Sequence, residues 1–191
     1  MIFIFLQIIW YSYIMILGLD ISTSITGLTV LRDDGTILHN EAIKLTSAKL
    51  KDNFFKKAQV VKDRLIEIKH LYNIKEIFIE QSLSAFRPGL SSAQVILTLG
   101  KFNGIVSWVC YEVYGKEPQY LGATTARKSL GIKVERGENA KEIVLKHVLD
   151  TVQDFPVEYT KGGNPIPGTY DRADSYVIAK AGYLQCQKAK S

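Results

Sequence analysis

The chain has 191 residues, 47% of them hydrophobic and 10% aromatic, and a formal net charge of +5. That length holds one domain with a well-buried core and leaves no room for a second of full size. Lysines gather in 44–75, 127–146 and at the C-terminus, a balance that suits a polyanionic partner, whereas Cys110 and Cys186 are too few and too far apart for a zinc site or a disulfide framework.

Residues 1–19 carry no charge and by length form a candidate membrane span, yet they lack the basic start and small-residue cleavage site of a signal peptide. Met15 to Leu19 also read as the start of a buried strand leading into Asp20. Without them 14 residues remain, short for a spanning helix. Residues 1–14 are therefore expected to be a non-native or disordered extension, with Met15 the natural start and 15–191 a single domain. A membrane anchor is the alternative reading, and no membrane partner is expected. The cysteine usage suits a reducing compartment, the cytoplasm of a bacterial cell or of a virus-infected host cell, not a secreted location. Cys110, in a strongly apolar stretch, reads as a small core residue.

MILGLDIS (15–22) is an apolar run ending in Asp, and 25–45 follows with Asp33-Asp34-Gly35 at its middle. Two β-rich runs around an Asp-Gly turn predict a hairpin, hence three consecutive strands. From Ser47 to about Tyr72, Phe54, Ala58, Val61, Leu65 and Ile68 recur at spacings of four, three, four and three, which predicts an amphipathic helix with a lysine-rich outer face. Ile74 to Glu80 predicts a fourth strand and 81–90 a loop. A long helix is expected over 91–114. Its Gly100 and Gly104 cost helix stability and are expected to serve close packing on the sheet or another helix. Residues 117–121 predict a fifth strand, 123–130 and 138–151 helices, 154–169 a loop with three prolines and three glycines, and 170–187 a final helix. Alternating elements favour an α/β architecture, and three strands, helix, strand, helix, strand, helices is the order of the ribonuclease H fold.

The acids carry the chemistry. Asp20 and Glu80 each end an apolar strand, where an ionised carboxylate is costly unless paired or bound to metal. Either alone could be an N-cap or a lysine's partner. Asp171 and Asp174 stand three apart at a helix start and so share one face; alone, they could simply complement the helix dipole. Four carboxylates converging at the end of a sheet would suit magnesium or manganese better than zinc. Two such ions about 4 Å apart clamp the attacking and leaving oxygens of an in-line phosphoryl displacement, and no protein nucleophile is needed.

ILGLDISTSITGLTVL, then IFIEQ, then YDRADSYVIAKAGY resemble the three acidic motifs of RuvC-type Holliday junction resolvases, the crossover junction endodeoxyribonucleases, over about residues 15–187. The resemblance implies a ribonuclease H-like α/β fold: a five-stranded mixed sheet, three strands antiparallel and then two parallel, flanked by helices. It also implies a homodimer that binds a four-way DNA junction and nicks two opposed strands symmetrically. Two Mg2+ ions per active site are implied, with Mn2+ as a substitute. Asp20 corresponds to the family's first metal-ligating Asp, Glu80 to the Glu of the I-E-Q motif and Asp174 to the last Asp. Asp171 takes a position where the family carries Asp or His. Lys128 and Lys141 resemble the lysines that the family places near the scissile phosphate, with Lys141 in a catalytic role. Bacterial relatives carry a wedging aromatic just after I-E-Q. Here it arrives late, so Phe86 or Leu83 takes that part, with Arg87 as a neighbouring DNA contact. The loop 154–169 is longer than its bacterial counterpart, and its Lys161 is either a DNA contact or part of an undecorated insertion.

Three other readings stay open. G-L-D-x-S-T-S-x-T-G also resembles the phosphate-binding turn of sugar kinases and actin-like ATPases, which would make Ser22, Thr23 and Ser24 nucleotide contacts but calls for two closing domains. A nuclease of the same fold could act on flaps, forks or RNA-DNA hybrids. A non-catalytic DNA-binding module is the third.

Overall fold

The protein is described by a computed structural model covering residues 15–51, 53–82 and 93–189. The calls on residues 1–14 and on Leu83, Phe86 and Arg87 fall outside these residues.

Five strands form one sheet: β1 (Met15–Asp20), β2 (Ile25–Leu31), β3 (Ile37–Lys44), β4 (Ile74–Glu80) and β5 (Gln119–Leu121). Their order is β3-β2-β1-β4-β5. The β3–β2 and β2–β1 pairs are antiparallel, while β1–β4 and β4–β5 are parallel, as the resemblance implied. The Asp-Gly turn behaves as its chemistry predicts: Gly35 takes a φ of +84°, and Asp34 accepts from the backbone N–H of Thr36 at 2.8 Å.

Five helices cover the sheet: α1 (Phe54–Leu71), α2 (Ala93–Tyr114), α3 (Ala123–Ser129), α4 (Ala140–Thr151) and α5 (Pro167–Lys188). Four boundaries differ from the sequence reading. Residues 48–50 form a separate 3-10 turn, and Asn53 starts α1 by accepting from the Lys56 N–H at 2.9 Å. Strand β5 is shorter than expected because it pairs only from Gln119 onward. Helix α4 begins two residues late, where Asn139 caps the Lys141 N–H. Helix α5 begins early, at Pro167, whose fixed φ and missing N–H suit a first helical position.

Strand period decides which layer each residue enters. Leu17, Leu19, Ile77 and Ile79 face one core with Val61, Leu65, Phe102 and Val106 from α1 and α2. Ile16 and Phe78 face the other, with Val144 and Val148 of α4 and Val177 and Ile178 of α5. Helix α2 is long and apolar enough to cross a membrane, but Phe102, Val106, Val109, Cys110 and Val113 spend its inner face on the first core. Cys110 is fully buried, as expected, and burial pushes its thiol up to about 12.

Helix α5 lies so close to the sheet that glycine is required on both sides. A Cβ on Gly18 would come within 2.5 Å of Ala179, and one on Gly182 within 2.2 Å of the Phe78 ring. A Cβ on Gly27 would meet the Asp171 carbonyl oxygen at 2.0 Å. Gly100 and Gly104 do not pack closely on the sheet or on another described helix of this chain. Among the described residues a Cβ on Gly104 would meet nothing within 4 Å, and one on Gly100 only the Ser82 hydroxyl at 4.0 Å.

Gly27→Ala should therefore push the start of α5 off β2 and cost about 2 kcal/mol or more, as overpacking against backbone does. Thermal unfolding measures it. Gly104→Ala should be neutral or stabilising, since it restores helix propensity in open space.

Candidate active site

The same strand period brings the acids together. Asp20 follows Ile16 and Gly18 on the α5 side of β1, and Glu80 follows Phe78 on the α5 side of β4. The strands are parallel neighbours with Leu19 opposite Ile79, so their last residues end side by side. Across them runs the first part of α5, which carries Asp171 and Asp174 on one face. All four carboxylates line a single cleft, together with Arg127 of α3 and Lys141 of α4.

Lys141 Nζ stands 3.2 Å from Asp171 Oδ1 and 3.9 Å from Asp174 Oδ2. Burial works against the ammonium, but Asp171, Asp174 and Asp20 outweigh it and hold its pKa above the usual lysine value. The acids are pushed the other way. Burial, and then repulsion from Glu80, Asp174 and Asp171, raises Asp20 well above the carboxylate range. Burial and Asp174 raise Glu80 to about 7, against the pull of Arg127 and Lys141. Asp174 rises to about 6, again chiefly through burial, with Lys141 and Arg127 opposing.

With all four acids ionised, four carboxylates against two cations leave a formal charge of −2 in the cleft, which a divalent cation offsets. The donor set is also of the hard-oxygen kind that such ions take. As placed, however, no group of three or more acidic, His or Cys side chains among the described residues is drawn together tightly enough to hold a metal ion. The donor set fits a divalent cation by its chemistry and its charge, and not by the spacing of its side chains.

Two groups in the cleft escape the sequence reading. Arg127 enters it, whereas its neighbour Lys128 is exposed and is not part of the lining. Helical spacing decides this: Ala123 and Arg127, four apart, share the lining face, and buried Ala126 beside them turns Lys128 outward. Asn103 of α2 is 5% exposed and donates to the Glu80 backbone oxygen at 3.1 Å, tying the strand end to the helix. Its one visible signal was an amide in the middle of an apolar helix. The Ser22–Ser24 segment closes the turn after Asp20. Ser22 Oγ donates to the Ile25 carbonyl at 2.7 Å and accepts from the Ile25 N–H at 3.1 Å, while Lys57 Nζ donates to the Thr23 carbonyl at 2.6 Å.

No protein-family model matches the chain, and no curated protein does. Solved structures do. RuvC of T. thermophilus in complex with a Holliday junction substrate superposes with a TM-score of 0.62 at 17% identity, over 91% of this chain and 96% of that one. Another Thermus thermophilus RuvC structure gives 0.61 at 20% identity, covering 92% and 97%. The yeast mitochondrial Holliday junction resolvase Ydc2 gives 0.59 at 16% identity, covering 92% and 80%. The chain therefore has the RuvC-like form of the ribonuclease H fold over nearly its whole length.

The raised carboxyls oppose folding at neutral pH. Folded Glu80 keeps its proton up to about pH 7, while the unfolded chain releases it near 4.3. The folded state binds more protons between those values, so stability falls as pH rises through that window and stays low above it. In EDTA, Glu80→Gln should raise the unfolding midpoint at pH 8, by roughly 1–3 kcal/mol of stability, and the gain should vanish below pH 4. Thermal melts of both proteins across pH measure it.

Proposed function

We propose that this protein is a divalent-metal-dependent endodeoxyribonuclease that resolves four-way DNA junctions by paired, symmetric nicks. The observation that carries this reading is one cleft, at the ends of parallel β1 and β4 in a RuvC-like fold, holding Asp20, Glu80, Asp171 and Asp174 with Arg127 and Lys141. Support for the substrate comes from the T. thermophilus RuvC of the same fold, which was solved with a Holliday junction, and from the net charge of +5.

In this reading Asp20, Glu80, Asp171 and Asp174 would hold Mg2+, or Mn2+ in its place, as two ions per site. Bound ions of this kind supply Lewis acidity and make a hydroxide nucleophile from water at neutral pH. The chain's own residues do the rest. Asp20 and Glu80 sit on rigid strand ends and Asp171 and Asp174 on a buried helix, so the donors are held in place before substrate arrives. Lys141 is half-exposed, 55% at its side chain, and can turn its ammonium from the acids to a phosphate oxygen. Arg127, also in the lining, carries a planar guanidinium, a shape suited to bidentate phosphate binding. Asn103 fixes the main chain at Glu80.

Paired nicking calls for two copies, and α2 offers a surface for self-association. Leu97, Gly104, Trp108 and Tyr111 follow one another at helical spacing, with Leu97 53%, Trp108 62% and Tyr111 44% exposed, and Phe55 of α1 stands beside them at 79%. Open space over Gly104 allows close approach by a partner helix.

Purified protein should bind a synthetic four-way junction in calcium and cut it only with magnesium or manganese. Asp20→Asn and Asp174→Asn should each abolish cutting while keeping junction binding. Arg127→Ala should lower the cleavage rate by about 100-fold, as loss of one charge-stabilising donor does, and more than Lys128→Ala. Equal cutting of flap, linear duplex and junction would remove the junction from the reading and keep the nuclease. In sedimentation, Trp108→Glu should shift a dimer toward monomer.

A further inference from the structure

The loop between α4 and α5 contains an ordered arm. Tyr159 and Pro165 form an isolated antiparallel bridge. Below it the Ile166 N–H donates to the Glu158 carbonyl at 2.9 Å, and above it the Thr160 N–H donates to the Asn164 carbonyl at 2.7 Å. The tip is Lys161-Gly162-Gly163. Lys161 is exposed, Tyr159 is 59% exposed, and among the described residues a Cβ on Gly163 would meet nothing within 4 Å, so the tip has room for an incoming ligand.

The base of the arm is fastened to α5 by a buried arginine. Arg172 is 8% exposed; its Nη1 pairs with Glu158 Oε1 at 3.2 Å, and Nη2 points to Thr169 Oγ1 at 3.5 Å. Fully buried Thr169 closes the clamp, its hydroxyl lying 3.3 Å from the Glu158 carbonyl and 3.4 Å from the Glu158 N–H. Arg172 Nε has no hydrogen-bond partner among the described residues. Burying a guanidinium with one carboxylate partner is costly for the fold, and what it secures is the arm's attachment one residue after Asp171. The pairing also neutralises Glu158, which leaves Lys161 as the charge at the tip.

The arm stands near the cleft. A Cβ on Gly168 would lie 3.1 Å from Ala42, Ala42 is opposite Gly27, and Gly27 is opposite Asp20. The start of α5, directly after the arm, thus lies over β3, two strands from Asp20 and on the order of 10 Å away across the sheet, within the width of a DNA duplex.

Resting on the nuclease reading above, we propose that residues 158–166 are a DNA-binding arm. Lys161 and the Gly162 N–H meet phosphates of one duplex arm, while the Gly163 N–H closes the turn on the Thr160 carbonyl at 3.0 Å; the Tyr159 ring packs on the sugar or base beside them, and Arg172 acts as a positioning residue that holds this contact in register with Asp171. Phosphate contacts set register without reading sequence.

The test is anisotropy of a labelled four-way junction with the full chain in calcium, over a range of salt. The Tyr159→Ala, Lys161→Ala double variant should bind about tenfold more weakly, as expected for losing one stacked ring and one phosphate contact. The slope of log affinity against log salt should become shallower by about 0.9, the value for one phosphate. Glu158→Gln, which alters the exposed end of the clamp and leaves the buried arginine in place, should show a smaller loss, with an unfolding midpoint close to the wild type. An unchanged affinity and salt slope in the double variant, with wild type binding normally, overturns the arm. Wild type that fails to bind the junction overturns the junction-resolving reading on which the arm rests.

Discussion

Helix α5 can approach the sheet closely only because Gly18, Gly27 and Gly182 carry no side chain at the points of contact. Everything at the cleft depends on that approach. Gly27 is paired with Asp20 across β1 and β2, and its missing Cβ is the space into which the Asp171 carbonyl fits. The backbone of the first acid and that of the third are therefore set against each other by the main chain, before side-chain rotamers matter. Thr29 and Ser175, hydroxyl to hydroxyl at 2.8 Å within the same contact, add a buried polar pin. Rigid backbone is the usual way to keep a constellation of like charges from relaxing apart.

The cost of that arrangement is electrostatic. Burial and mutual repulsion lift Asp20, Glu80 and Asp174 together, and Lys141 and Arg127 oppose only part of it. Structural ion pairs in this protein look different. Glu41, with burial working against it, is still held below the usual carboxylate value by His39 and Arg64. A cluster that its own protein leaves short of cations is the pattern expected where an external cation, and then a polyanion, completes the charge. The arm at 158–166 obeys the contrasting rule: its one acid is already paired, so the tip keeps its positive charge.

Much of this was legible in the chain. The apolar strand runs ending in Asp20 and Glu80, the Asp-Gly turn and the four-three repeat of α1 are local signals with a fixed period, and the sheet they imply is the one found. The three-residue spacing of Asp171 and Asp174 likewise needs nothing beyond helix geometry. Where neighbouring residues carry the same local signal, packing chooses between them. Lys128 and Arg127 are adjacent, and only the packing of Ala126 decides which of them turns to the cleft. Gly100 and Gly104 look like packing residues by composition, yet the close-packed glycines are those at 18, 27 and 182, which lie on strands and on a different helix.

The sequence by itself determined the fold class, the strand-end and helix-start acids, and through strand and helix period the face of its own element on which each acid lies. Those follow from interactions between residues a few positions apart. Tertiary structure alone decided that Lys141 stands between Asp171 and Asp174, that Asn103 of α2 holds the Glu80 carbonyl, and that Arg172 clamps an arm onto α5. Each joins residues from different elements, and whether their side chains meet depends on how closely two surfaces pack, a distance that no local period encodes.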